Sequence, residues 1–315
     1  MNAPFSDRLI EVIRRDANPC CVGLDPRLDW LPVEYRSRLS IRPTRESVSR
    51  VLIDFHRRII RILAGLIPIV KPQLAFFEQL GAPGIVAFED LVQYSREHGI
   101  LVIADAKRGD IGTTAEAYAN SFFGNVSVYG NTLETCVSDA LTINPFFGTD
   151  GVAPFLEACD RQNTGVFILL RTSNPSSSEL QSLGFNGATL SHHIGKLVKK
   201  WSSERINQYG YSSVGVVIGA THKTLLKDLR SLVPNSFVLL PGYGAQGGSA
   251  SDVVDAFDSN GLGGIVVAAR SVNFAFRTGD GRESANWESR IELAAKGMIQ
   301  DVQNELSRAG KWAAR

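Results

Sequence analysis

The sequence predicts an α/β protein with a (β/α)₈ barrel, the TIM barrel, in a single domain. Eight short apolar runs recur along the 315 residues, and segments with helical periodicity separate them. No linker rich in proline, serine or charge divides the chain. A doubly wound open sheet is the alternative, because periodicity alone does not show that a sheet closes. Eight alternations of strand and helix favour the barrel.

The predicted elements follow directly from these patterns. The apolar runs are nearly continuous, as expected for parallel strands that are covered on both faces. They occupy residues 20–24, 67–70, 101–104, 140–143, 166–170, 214–218, 237–240 and 264–268. Helical periodicity marks residues 47–63, 83–97, 114–118 and onwards, 151–158, 190–201, 224–232 and 252–258.

Both ends of the chain are predicted to be helical. Residues 1–16 carry charges throughout the stretch that a signal peptide would need to be apolar, so we expect an amphipathic helix in a cytosolic protein. Residues 285–306 have apolar side chains at helical spacing and predict a closing helix after a barrel core of about residues 18–275. A proline-containing insert at residues 27–45 lengthens the first connection. We expect residues 1–315 to form one domain.

Composition excludes several classes of protein. Hydrophobic residues make up 44% of the chain and charged residues 21%, which is incompatible with disorder or collagen. Lys and Arg total 33 against 32 Asp and Glu, so no bulk positive field would bind nucleic acid or an anionic membrane, and any anion site must be local. The four cysteines have no metal or disulfide spacing and are predicted to be reduced and mostly buried: Cys20, Cys21, Cys136 and Cys159.

The strongest functional signal follows the third predicted strand. Catalytic groups of a parallel barrel lie at the C-terminal ends of its strands, and residues 105–110 read DAKRGD. Asp105 and Lys107 are two residues apart on extended backbone, so their side chains should leave the same face. A lysine flanked by Asp105 and Asp110 would stay protonated and could act as an acid. A solvated charge run at a strand end is the alternative interpretation.

A second isolated cation, Lys71, ends the second predicted strand. A buried lysine needs an anionic partner, because an unpaired one would lose its proton. Asp105 is the expected partner, since the second and third strands should be neighbours. A lysine at the rim whose ammonium reaches solvent is the alternative.

A glycine-rich segment follows the seventh predicted strand. Residues 241–248 read PGYGAQGG, and Arg270 ends the eighth strand. The seventh and eighth loops of such barrels commonly bind phosphate through backbone N–H groups and one guanidinium. We therefore predict a phosphate site here, with a merely flexible turn as the alternative.

Together, these motifs resemble the orotidine 5′-phosphate decarboxylase family. The resemblance covers about residues 20–275 and is carried by GLD at 23–25, Lys71, DAKRGDIGTT at 105–114, PGYGAQGG at 241–248 and Arg270. The chain length and RTSNP at 171–175 resemble the longer bacterial branch, type 2. The resemblance implies decarboxylation of orotidine 5′-monophosphate (OMP) to UMP, the last step of de novo pyrimidine synthesis, without a cofactor or metal.

The resemblance also implies roles for individual residues. Lys71, Asp105 and Lys107 would belong to one subunit of a homodimer, with Lys107 donating a proton to C6. Asp110 would reach the site of the other subunit. The remaining substrate contacts would be Asp25 and Lys71 at the ribose hydroxyls, Thr114 of the other subunit near the ribose, Ser173 at the pyrimidine edge, Gln246 and Arg270 at the phosphate, and Pro241 in the glycine-rich loop.

Two other functions remain open from the residues. A metal-assisted sugar-phosphate lyase or aldol-type synthase shares the Asp-x-Lys-x-x-Asp element, but it would need a carboxylate at the end of the second strand to hold Mg²⁺. Lys71 occupies that position and repels a metal. A non-enzymatic sensor of nucleotide phosphates would be expected to have lost at least one of the four charged residues. All four are present: Lys71, Asp105, Lys107 and Asp110.

The histidines are predicted to have ordinary structural roles. His192 and His193 lie in a polar helix without a third ligand, which argues against a metal site. His56 and His98 are expected at exposed helix positions. His222 ends the sixth predicted strand and is a candidate for the mouth of the barrel.

Overall fold

Eight parallel strands form a closed barrel in the computed structural model, which describes residues 3–39, 41–135, 137–244, 247–278 and 282–312. The barrel order is β1-β12-β11-β10-β7-β6-β3-β2, so the predicted fold is confirmed and the open doubly wound sheet is wrong. The strands are β1 (Cys20–Leu24), β2 (Ile69–Pro72), β3 (Leu101–Arg108), β4 (Val126–Val128), β5 (Asn131–Leu133), β6 (Ala140–Ile143), β7 (Gly165–Arg171), β8 (Gly184–Phe185), β9 (Ala188–Thr189), β10 (Ser212–Ile218), β11 (Ser236–Pro241) and β12 (Gly264–Ala268). Two hairpins outside the barrel pair β4 with β5 and β8 with β9.

Helices follow the barrel strands as the periodicity predicts. They are α1 (Phe5–Arg15), α2 (Val33–Arg36), α3 (Arg45–Leu63), α4 (Ala75–Glu78), α5 (Ala82–Glu97), α6 (Gly112–Phe123), α7 (Thr149–Gln162), α8 (Ser177–Gln181), α9 (Leu190–Ser203), α10 (Lys223–Leu232), α11 (Ala250–Val253), α12 (Arg270–Asn273) and α13 (Trp287–Arg308). The helix predicted at 252–258 is instead α11 followed by a 3₁₀ turn, Val254–Ala256. None of the helices in the described ranges is both long enough and apolar enough to cross a membrane.

Alternation along the strands decides which side chains point into the barrel. In β3, Val102 and Ala104 face the surrounding helices, whereas Leu101 and Ile103 face the barrel interior. Because successive side chains leave opposite faces, the next inward position is Asp105. Lys71 follows the inward-facing Ile69 of β2 in the same way.

The amphipathic helix predicted at the N-terminus is present as α1, and it closes the amino end of the barrel. Phe5, Leu9, Ile10 and Ile13 are buried against the lower barrel interior. The Phe5 ring meets Phe167 edge to face, with ring centroids 6.0 Å apart. Apolar packing therefore fills the amino end of the barrel. The polar residues at the ends of the strands lie at the opposite, carboxyl end, where a ligand could bind.

The closing helix and most of the cysteines are also found as predicted. The buried stripe of α13 packs it against the barrel and contains Trp287, Ile291, Ala295, Met298, Val302 and Leu306. Cys20, Cys21 and Cys159 are free and buried, and burial raises the pKa of the Cys21 and Cys159 thiols to about 12. Cys136 lies outside the described residues.

One histidine prediction is wrong. His56 is fully buried on the inner face of α3, and its Nδ1 lies 2.8 Å from the carbonyl oxygen of Leu52. Burial lowers the pKa of His56 to about 4, so the ring is neutral at physiological pH. The prediction treated histidine as a polar surface residue, but His56 lies on the same buried face of α3 as Leu52 and Ile59.

Candidate active site

A buried carboxylate lies between two ammonium groups at the carboxyl end of the barrel. The Nζ of Lys71 lies 2.7 Å from Oδ2 of Asp105, and the Nζ of Lys107 lies 2.6 Å from Oδ1. The side chains of Lys71 and Asp105 are only 7% and 9% exposed, whereas that of Lys107 is 44% exposed. The predicted contact between Lys71 and Asp105 is present, and Lys107 is the member of the cluster that a ligand can reach.

Two neutral side chains complete the environment of Asp105, and sequence reasoning missed both. The Thr142 hydroxyl donates to Oδ1 at 2.9 Å, and the Gln73 amide donates to Oδ2 at 2.9 Å. Thr142 is the one polar residue of the short strand β6, and strand alternation turns it inward with Ala140. A polar residue within an otherwise apolar strand could have indicated that Thr142 belongs to the site.

The charges of the cluster stabilise one another. Burial opposes ionisation of Asp105, but Lys71 and Lys107 outweigh it and hold the pKa of this carboxyl well below its usual range. Burial likewise opposes the charge on Lys71, yet Asp105 and Asp25 raise its pKa above the usual value. Both ammonium groups contact this one carboxylate, and the exposed ammonium of Lys107 is placed to stabilise negative charge on a ligand.

Asp25 lies within electrostatic reach of this cluster. Burial raises its pKa, while the charge of Lys71 opposes the rise. Its Oδ1 atom is buried and accepts no hydrogen bond from the described residues. A buried acceptor without a donor is costly unless a ligand supplies the donor.

The backbone at Lys107 departs from the regular strand that the spacing argument assumed. Lys107 has a φ of 49°, in the left-handed region, and the pairing of β3 with β6 shifts register between Ala104 and Arg108. Its N–H donates to Oγ1 of Thr142 at 3.0 Å. Asp105 and Lys107 do share a side of the strand, but a non-glycine residue in this conformation costs about 1–3 kcal/mol, and such strain is typical of functional sites.

Asp110 and Thr114 lie apart from the cluster within one chain. Oδ1 of Asp110 accepts a hydrogen bond from the N–H of Ile111 at 2.8 Å, and Thr114 is exposed on the first turn of α6. The predicted flanking of Lys107 by two carboxylates is therefore not formed within a single chain, where Asp105 alone is its ion-pair partner among the described residues.

The loops after β11 and β12 lie side by side. Pro241 ends β11, and Gly242, Gly244 and Gly247 adopt positive φ angles of 111°, 73° and 89°. A Cβ atom placed on Gly244 would lie 3.0 Å from Oγ of Ser271. Arg270 begins α12 immediately before that serine. This neighbourhood brings the glycine-rich segment and Arg270 together, whereas Gln246 lies outside the described residues.

Ser173 follows β7 and packs closely against the end of β10. A Cβ atom on Gly219 would lie 2.7 Å from Cβ of Ser173, so only glycine permits this approach. His222 lies next to the same loop, with Nε2 2.7 Å from the carbonyl oxygen of Thr172. His222 is thus at the mouth of the barrel, where it supports the segment that carries Ser173.

The residues present offer little to a metal ion. Within the described ranges, no three His, Cys, Asp or Glu side chains are grouped so that they could hold one. The position at the end of β2 that a metal-dependent relative would need as a carboxylate is Lys71.

Comparisons with known proteins identify the family of the chain. Residues 19–277 match the model of the orotidine 5′-phosphate decarboxylase / HUMPS family. An orotidine 5′-phosphate decarboxylase of Rhodopirellula baltica is 40% identical over 306 residues, covering 95% of this chain and 99% of that protein. One from Caldicellulosiruptor saccharolyticus is 35% identical over 305 residues, covering 96% and 99%. The solved structure of Leishmania donovani OMP decarboxylase matches with a TM-score of 0.71 and 28% identity, covering 99% of this chain and 100% of that one.

Proposed function

The chain belongs to the orotidine 5′-phosphate decarboxylase / HUMPS family, and from that premise we propose that its site decarboxylates OMP to UMP and CO₂ with Lys107 as the proton donor to C6. The family and its curated relatives support this activity, which is the last step of pyrimidine biosynthesis. The observation that carries the assignment within the family is the contact of both Lys71 and Lys107 with Asp105.

The chemistry requires positive charge at one carbon atom. Cleavage of the bond between C6 and the carboxylate releases CO₂ and leaves an electron pair on C6. An ammonium group held next to C6 stabilises that pair without rearranging, because it is already in place. The proton then moves from Lys107 to C6, and the resulting amine regains a proton from solvent.

Lys71 and Asp105 keep this ammonium in position. Lys71 is more deeply buried than Lys107 and is therefore less accessible to a substrate as a proton donor. Its ammonium group balances the charge of Asp105. Asp105 would then lie close to the departing carboxylate. Asp25 and Lys71 would hold the ribose hydroxyls, and the unpartnered Oδ1 of Asp25 supports that role.

Binding energy remote from C6 would come from the phosphate. We assign the dianion to Arg270, Gln246 and the glycine-rich loop that begins at Pro241, and the pyrimidine edge to Ser173. The adjacency of Gly244 and Ser271 supports a shared phosphate site of the two loops. Such binding can be used at the reacting centre when the loop closes over the substrate.

A homodimer would complete the site. Asp110 and Thr114 do not join the cluster of their own chain and would reach that of a second copy. Exposed apolar side chains adjoin Asp110, namely Ile111, Phe146 and Phe147, and an apolar surface of this kind is typical of a protein interface. The backbone carbonyl oxygen of Asp110 and the ring of Phe147 both lie beside Gly151, which places this surface next to Asp110.

Mixing two inactive variants tests the shared site. Asp110→Asn and Lys107→Ala subunits should each lack activity, while mixed dimers contain one site with both native residues. Because one of the two sites is intact, we expect verified mixed dimers to recover up to about half of the activity of the unaltered dimer, and no recovery would contradict sharing.

One assay separates decarboxylation from the two other functions. UMP formation from OMP is expected to proceed with EDTA present. Loss of all turnover on chelation would favour the second candidate, the metal-dependent lyase or synthase that shares the Asp-x-Lys-x-x-Asp element. Tight UMP binding without turnover would favour the sensor.

The location and domain structure are part of the same proposal. We place the enzyme in the cytoplasm, which the free thiols of Cys20, Cys21 and Cys159 support. We treat residues 1–315 as one domain, since α1 and α13 both pack against the barrel.

A further inference from the structure

The glycine-rich loop is attached to a helix outside the part of the chain that the family model covers. The hydroxyl of Tyr243 donates to Oδ2 of Asp301 at 2.6 Å. Tyr243 is the third residue of PGYGAQGG, and Asp301 lies on α13, whereas the family model ends at residue 277. A hydrogen bond to an ionised carboxylate is among the stronger kinds in proteins.

The helix that holds Asp301 is a firm support. Its buried stripe includes Met298 and Val302, which fix the turn of helix that carries the exposed Asp301. Trp287 at its first turn contacts the rings of Phe55 and Phe276, with centroids 5.4 and 6.2 Å away. Tyr243 itself is partly buried against the main core. Burial and the bond to Asp301 raise the pKa of Tyr243, so its hydroxyl remains a donor at physiological pH.

Backbone hydrogen bonds on both sides of Tyr243 connect it to the rest of the glycine-rich loop. The N–H of Gly244 donates to the carbonyl of Gly248 at 2.8 Å, and the N–H of Gly248 donates to that of Gly242 at 3.1 Å. The base of the loop is thus closed around Tyr243. On its other side, Gly244 lies against Ser271, the neighbour of Arg270.

We propose that the hydrogen bond between Tyr243 and Asp301 positions the glycine-rich loop for the 5′-phosphate, so that α13 sets the affinity of the enzyme for the dianion. This inference rests on the proposed function, in which the loop and Arg270 bind the phosphate. Tyr243 and Asp301 act as positioning residues, because neither is required to touch the substrate.

Three variants test the proposal: Tyr243→Phe, Asp301→Ala and the two combined. For OMP, kcat/KM should fall roughly fivefold in each single variant, mainly through KM, as expected for one charge-assisted hydrogen bond. For orotidine, the same ligand without its phosphate, kcat/KM should stay unchanged. The double variant should be no worse than the single ones, and Asp301→Asn, which keeps an acceptor, should restore part of the loss.

Tyr211→Phe is the matched control. It also removes a hydrogen bond from a tyrosine to an aspartate, with the Tyr211 hydroxyl 2.8 Å from Oδ2 of Asp258, but at the amino end of the barrel. It should lower the melting temperature without changing KM for OMP.

Two results would overturn the proposal: equal losses for OMP and orotidine, or an unchanged KM for OMP in Tyr243→Phe. If the unaltered protein forms UMP while these results are found, the inference alone fails. If the unaltered protein forms no UMP, the proposed function fails and this inference with it.

Discussion

Two buried aspartates at opposite ends of the barrel have contrasting partners. Asp105, at the carboxyl end, accepts hydrogen bonds from four side chains, two of them cationic. Asp139, at the amino end, accepts the backbone N–H of Val102 in β3 at 2.9 Å and pairs with Arg8 of α1. Both residues are almost inaccessible to solvent.

The contrast shows that a buried aspartate can either connect elements of the fold, as Asp139 does, or hold the groups of a candidate active site, as Asp105 does. At Asp139 the carboxylate joins β3 to α1, the helix that closes the barrel, and it pairs with Arg8 and, at 3.9 Å, with Arg96. At Asp105 two ammonium groups share one carboxylate, and the more exposed of them is Lys107. Asp105 is held entirely by side chains, including the exposed ammonium of Lys107, whereas Asp139 binds the backbone of β3, and this difference distinguishes the candidate active site.

Removing the exposed ammonium tests the contrast most severely. We expect Lys107→Ala to lower kcat by at least about 10⁴-fold, because it removes both the charge next to C6 and the proton donor. UMP binding, measured by calorimetry, should be largely kept. Activity comparable to that of the unaltered protein would refute the assignment of Lys107.

Arg270 extends the test to the phosphate. Arg270→Ala should raise KM for OMP by roughly 100-fold, since one guanidinium–phosphate contact is lost. Steady-state kinetics would show this, and an unchanged KM would reject the phosphate role.

Thr142 tests whether the surroundings of Asp105 matter as well as its charge. Thr142→Val removes the hydroxyl that joins Asp105 to the backbone of Lys107, and we expect kcat to fall roughly tenfold. Thr142→Ser keeps the hydroxyl and should retain most of the activity. If the valine variant is as active as the serine variant, the hydroxyl has no positioning role.

The amino end should respond in stability and not in activity. Asp139→Asn weakens the pairing with Arg8, and we expect the free energy of unfolding to fall by about 2 kcal/mol. Denaturant unfolding and the kinetic constants measure the two effects separately. A change in kcat with unchanged stability would break the contrast between the two ends.

The smallest expected effect concerns Asp25 and depends on pH. Burial raises the pKa of this carboxyl in the folded state, so the protonated form favours folding. That stability is fully present below the unfolded pKa and is lost as pH rises through the folded pKa, because the ionised carboxylate is then buried. Asp25→Asn should therefore raise the melting temperature slightly at pH 7, by about 1–2 °C, and not below about pH 4. The same variant should weaken UMP binding. A lower melting temperature at pH 7 would show that ionised Asp25 stabilises the fold.

Local patterns predicted a large part of this protein. Near-continuous apolar runs indicated strands that are covered on both faces, and the polar residues after them marked the carboxyl end of the barrel. Spacing along β3 placed Asp105 and Lys107 on one side, even though the backbone between them proved irregular. These inferences succeed because the direction of a side chain on a strand depends on residues next to it in the chain.

Contacts between distant segments could not be predicted in this way. Thr142 and Asp105 are 37 residues apart, and Tyr243 and Asp301 are 58 apart. The burial of His56 likewise depends on the elements that cover α3. Strand order, register and barrel closure decide which of the inward side chains stand at the same height, and these are properties of the packed chain as a whole. The sequence by itself determined the barrel and the polar ends of its strands, whereas the tertiary structure decided which of those polar groups meet.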